Sequence, residues 1–101
     1  MSEQAKRLRA GGRVITDAME AHASGELSDH LVLGWRLATT ALIMKPAHQP
    51  GAVKIARDYA DAVGIDFDAM SEQIEARIYE AVQFDALTTD PMSRREEQGN
   101  G

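Results

Sequence analysis

Side chains able to act as ligands, acids or nucleophiles amount to three histidines, sixteen carboxylates and a few hydroxyls, with no cysteine. The missing thiol excludes disulfides, zinc knuckles, iron–sulfur clusters and cysteine nucleophiles. His22 and His30 are eight residues apart with a glycine between them, and His48 sits in a proline-flanked loop. None shows the His-x-x-x-His spacing that sets two ligands on one helix face. Glu26 and His30 lie four apart, without the duplicated Glu-x-x-His that carboxylate-bridged metal bundles need. The hydroxyls have simpler uses: Ser24 and Ser28 suit helix caps, and Thr39 and Thr40 can return their hydroxyls to the backbone. There is no Gly-x-x-x-x-Gly-Lys-Ser/Thr phosphate loop and no Gly-x-Ser-x-Gly elbow, and Gly11-Gly12-Arg13 is too short to cradle a phosphate. The expectation is a protein that is not an enzyme and holds no metal or cofactor.

Charge is the more informative chemistry. The chain has a formal net charge of -5, but residues 1–57 carry eight basic against five acidic side chains and residues 58–101 three against eleven. Such asymmetry predicts two differently charged faces. Lys6, Arg7, Arg9 and Arg13 form the basic cluster, while Asp58, Asp61, Asp68, Glu72 and Glu75 are the leading acidic candidates. An acidic face steers a basic partner inward and repels nucleic acid.

These groups need helices to position them. Ala5, Leu8, Gly12, Ile15, Met19 and His22 recur at spacings of three and four, predicting a helix over 4–23 with that stripe inward. The Gly11-Gly12 pair weakens this helix unless a neighbour crosses closely at Gly12. Ser24-Gly25 ends it; Ser28 then caps a second helix, with Leu27 and Val32 as its staple. From Leu31 to Met44 that helix is apolar nearly all round, as expected of a central element, until Pro46 stops it. Pro50 opens a third helix with Val53, Ala56, Tyr59, Ala60 and Val63 on one side, and Gly64 ends it. A fourth starts at Asp66, stapled by Ile65 and Met70, with Met70, Ile74, Ile78, Ala81 and Val82 on its apolar face. The pattern predicts an all-α bundle of about four helices, with one helical domain over residues 1–90 and a disordered polar tail over 91–101.

No apolar stretch is long enough to span a bilayer, and the charged N-terminus lacks a secretory h-region, so the expected location is cytoplasmic, with no membrane partner. The third helix, turn and fourth helix partly match a DNA-binding helix-turn-helix over 52–82: Ala60, Gly64 and Met70 are in place, and Ile74 falls one residue late. Its recognition helix would carry Asp66, Asp68, Glu72, Glu75 and Glu80 against Arg77 alone, which opposes phosphate binding. If nucleic acid were the target, Lys6, Arg7, Arg9 and Arg13 would supply the phosphate contacts. The acidic residues could instead mimic a phosphate track and block a nucleic-acid-binding enzyme. Above both ranks a non-enzymatic interaction module, an adaptor or inhibitor, docking on a protein with a basic surface through the acidic face and leftover apolar helix surface. The small, aromatic-poor core also makes a homodimer plausible.

Overall fold

In the computed structural model the described residues are 2–89, with side chains described through residue 85. They form four α-helices and no strand: α1 (Glu3–Ala23), α2 (Asp29–Leu42), α3 (Gln49–Val63) and α4 (Phe67–Thr89). The expected all-α class is what the chain adopts; the segment assigned to a tail, 91–101, lies outside the described residues.

Local chemistry accounts for the helix ends. Ser2 and Ser28 each accept a hydrogen bond on the side-chain oxygen, from the N–H of Ala5 at 3.1 Å and of Leu31 at 3.2 Å, satisfying donors that a helix start leaves open. The Asp66 carboxylate does the same for Ala69 at 3.1 Å, ahead of α4. Gly25 and Gly64 both have positive φ, 86° and 79°. At each the chain folds back on the last turn: Glu26 N–H donates to Ala21 C=O at 2.8 Å, and Ile65 N–H to Ala60 C=O at 2.8 Å. That six-to-one bond is the mark of a glycine-terminated helix.

α2 touches all three other helices, α1 also packs along α4, and α3 rests mainly on α2 with little contact to α4. The core takes Ala10 and Val14 from α1, Ala38 from α2, Ala56 and Ala60 from α3, and Phe67, Met70, Ile74, Ile78 and Ala81 from α4, closed by Ile43. Ile74 and Ile78 are fully buried. The expected inward face of α4 is therefore the face that packs. Ile65 and Met70 both lie over Gly34, where a β-carbon would stand 3.1 Å from Ile65 Cδ1 and 3.6 Å from Met70 Sδ.

The expected inward stripe of α1 is overturned. Ala10, Gly11, Val14 and Ala18 are buried, whereas Leu8 is 53% and Met19 49% exposed, and Gly12 is open. The helix runs through both glycines unbroken. The close crossing falls at Gly11, where a β-carbon would come within 2.6 Å of Ile43 Cδ1 and 2.7 Å of Ile43 Cγ2. Small residues face inward because α1 comes too close to the end of α2 for larger ones.

That approach also completes α2. Gln4 Nε2 donates to Ile43 C=O at 2.6 Å, and Arg7 Nη2 and Gln49 Nε2 donate to Leu42 C=O at 3.0 and 3.2 Å. Carbonyls that α2 leaves open are thus filled by side chains of its neighbours. Thr40 Oγ1 donates to Arg36 C=O at 2.7 Å as expected. Thr39 departs from expectation: its fully buried hydroxyl has no hydrogen-bond partner among the described residues. A core position shields it from water while its oxygen stays unmatched.

Candidate docking surfaces

The acidic candidates divide into paired and unpaired groups. Asp58 meets Lys54 at 2.9 Å, and Asp68 meets Arg57 at 3.2 Å. Glu75 accepts from both terminal guanidinium nitrogens of Arg7, Nη2 at 2.7 Å and Nη1 at 3.3 Å. Asp61 and Glu72 are exposed, with no ion pair among the described residues.

The basic candidates divide in the same way. Arg7 is held by Glu75, and Arg13 by Asp85 at 2.8 Å, with its guanidinium 5.0 Å over the Phe84 ring. Lys6 leans on Glu3 at 3.8 Å, and Arg9 is exposed without an ion pair among the described residues. The basic cluster and part of the acid-rich second half thus meet each other across the α1–α4 seam. In α1, Arg7 and Arg13 are six residues apart; in α4, Glu75 and Asp85 are ten apart. Only the packing of the two helices brings these pairs together.

Ala60 and Gly64 lie at the end of α3, and Met70 and Ile74 on α4; Ala60, Met70 and Ile74 are buried, but the two helices have little contact with each other and pack chiefly on α2 and α1. The outer face of α4 includes the exposed Glu72, Tyr79 and Glu80. Its Arg77 guanidinium lies 5.3 Å over the Trp35 ring, a contact that draws a cation inward by the ring quadrupole.

Along the seam, two adjoining hollows of about 200 and 300 Å³ share Val14, Asp17 and Arg77. Ala18, Leu27 and Trp35 line the first, and Ala81 and Phe84 the second. Three exposed carboxylates stand at the rim, Asp17, Glu26 and Glu80, none in an ion pair among the described residues. Sequence reasoning missed this group, since no local spacing links Asp17 to Glu80; the α1–α4 pairing alone makes them neighbours.

Two of the histidines join helices. His22 Nε2 lies 2.6 Å from Asp29 Oδ1, joining the end of α1 to the start of α2, and His30 Nδ1 lies 3.1 Å from the Tyr59 hydroxyl. The hydrogen bond to His22 holds the Asp29 carboxyl below its ordinary value, and the bond to Asp58 holds the Lys54 ammonium above its own. Among the described residues no three His, Asp or Glu side chains gather to hold a metal ion, and no helix is long and apolar enough to cross a membrane. No protein-family profile, curated protein or solved structure matches this chain.

Proposed function

We propose that this protein is a non-enzymatic interaction module, an adaptor or inhibitor, that seats a basic segment of a partner protein in the groove between α1 and α4. The observation that carries this reading is the combination of an apolar floor, Val14, Ala18, Trp35 and Ala81, with the unpaired carboxylates Asp17, Glu26 and Glu80, which outnumber the lining cations Arg77, drawn over Trp35, and Arg13, held by Asp85. Burying apolar side chains on that floor is the favourable term of docking, of which only the surplus over ordering and desolvation costs appears as affinity. The acidic rim, in a chain of net charge -5, sets orientation and speeds the encounter with a basic segment.

This reading sets Asp17, Glu26 and Glu80 ahead of the acidic set expected from the sequence: Asp58, Asp68 and Glu75 already have cationic partners, and Asp61 and Glu72, though in no ion pair among the described residues, line neither hollow. Nucleic acid ranks lower in this proposal, because Arg7 and Arg13, two of the four cations that would contact phosphates, already hold Glu75 and Asp85.

The test is amide chemical-shift mapping with an amphipathic peptide bearing leucine anchors and lysine flanks. Saturable shifts are expected at Val14, Ala18 and the Trp35 indole. They should vanish in the double variant Asp17→Lys, Glu80→Lys and with a glutamate-flanked peptide. Shifts elsewhere, or shifts indifferent to the charge reversal, would refute the groove.

A further inference from the structure

At the other end of α1, Ile43 is pressed against Gly11, and Gln4 and Arg7 bind the carbonyls at the end of α2. The side chain one turn from Gln4, Leu8, is left 53% exposed. Leu8, Ile43 and Met44 line an apolar groove of about 570 Å³, with Thr40 at its wall. Its charged or titratable lining groups are Lys45 and His48, both exposed. Lys45 is in no ion pair among the described residues, and His48 precedes α3 without a side-chain capping bond. The carboxylate nearest in sequence to Gln4, that of Glu3, is largely exposed and lies 3.8 Å from Lys6.

We infer that this groove is a second docking surface, which takes a segment of a partner protein carrying apolar anchors beside aspartate or glutamate. Charge complementarity selects the occupant: an apolar anchor enters between Leu8, Ile43 and Met44, and its flanking carboxylates meet the Lys45 ammonium, with a His48 ring nitrogen within the same lining as a hydrogen-bonding group. The walls are too exposed to enclose a small molecule, whose sites bury about 70–90% of the ligand surface. A two-fold contact centred on the groove would set Lys45 against Lys45. None of the groove's residues lines the α1–α4 hollows, so the groove stands apart from the reading above. Only one consequence rests on that reading: with both grooves filled, the chain bridges a basic and an acidic partner.

The test pans a displayed library of random 12-residue peptides against the full chain, with the Leu8→Lys variant as counter-selection. Because Leu8 is half exposed, its replacement spares the fold, which circular dichroism checks. Enriched peptides should pair apolar residues with Asp or Glu, shift the amides of Leu8, Ile43 and Met44, and weaken about tenfold or more in Leu8→Lys. Lys45→Glu should weaken them several-fold, while Asp17→Lys with Glu80→Lys leaves them unchanged, so the two grooves fail or succeed separately. The inference is overturned if no enrichment depends on Leu8, or if the enriched peptides lack acids. It is equally overturned if these amides shift with protein concentration alone, as a second copy in the groove would cause, or shift with decanoate while no peptide is selected.

Discussion

α1 and α4 lie side by side yet are built by opposite rules. α4 fills the core with large apolar side chains, burying Phe67, Met70, Ile74 and Ile78, while Tyr79 and Phe84 stay on its outer side. α1 buries Ala10, Gly11, Val14 and Ala18 and leaves Leu8 and Met19 half exposed. One helix supplies volume to the core; the other supplies closeness, since removing side chains lets backbones approach. Hydrophobicity therefore marks the buried face of the first kind of helix and misleads about the second. Larger residues displaced from the inward face of such a helix remain on the surface, where in α1 Leu8 borders a groove.

The largest effect expected from this contrast is at Ile74. Truncation to alanine in a fully buried site should lower the unfolding free energy by about 2–5 kcal/mol, read from denaturant midpoints at constant slope. A loss near that of a surface substitution would mean that α4 does not provide the volume of the core.

The two adjacent glycines of α1 give the sharpest test. Gly11→Ala forces Ile43 to move and should cost about 1–3 kcal/mol. Gly12→Ala meets nothing within 4 Å and should stabilise by roughly 0.5–1 kcal/mol through helix propensity. Reversed signs would restore the stripe through Gly12 and undo the face assignment.

A smaller effect belongs to the charged seam. Arg7→Ala removes the paired bonds to Glu75 and the bond to Leu42 C=O. Solvent reaches both side chains of the ion pair, 32% and 44% exposed, so screening limits the direct coupling. A double-mutant cycle with Glu75→Ala should give about 0.2–1 kcal/mol, falling with salt. A larger fraction of the single-variant loss should resist salt, because the Leu42 carbonyl loses a donor whatever the ionic strength. Zero coupling would mean that Arg7 serves α2 and not the α1–α4 seam.

The smallest effect lies at the α1–α2 turn. His22→Ala should return the Asp29 pKa upward toward its ordinary value, followed by carboxyl chemical shifts. A carboxyl held below its unfolded value contributes stability above that unfolded value, and the contribution disappears as pH falls through the folded one. The wild type should therefore lose this contribution at acid pH, and His22→Ala should lack it throughout. An unchanged Asp29 titration would show that the 2.6 Å contact does not hold the carboxylate.

Much of the fold was legible because its signals are local. The Ser28 cap, the Gly64 terminus and the isoleucine spacing of α4 each depend on residues within one or two turns. The burial of α1 was not, because alanine and glycine carry no strong hydrophobic mark and their inward role depends on how near Ile43 comes. The site was least legible. Asp58, Asp61, Asp68, Glu72 and Glu75 read as one acidic face, and Lys6, Arg7, Arg9 and Arg13 as one basic cluster; helix packing sets Arg7 on Glu75, Arg13 on Asp85 and Arg57 on Asp68, Asp58 meets Lys54 within α3, and Asp61, Glu72 and Arg9 keep no ion pair among the described residues. The rim formed by Asp17, Glu26 and Glu80 has no counterpart in linear spacing.

By itself the amino-acid sequence determined the helical class, the order of four helices, their caps and the sign of charge in each half, since backbone geometry and side-chain periodicity act over a few residues. Tertiary structure alone decided which charges cancel between helices, as Arg7 with Glu75 and Arg13 with Asp85, and which face of α1 meets its neighbours. Those outcomes follow from distances between residues about 30 to 70 positions apart, such as Gly11 to Ile43 and Arg7 to Glu75, and electrostatics and close packing both respond to distance in space and not along the chain.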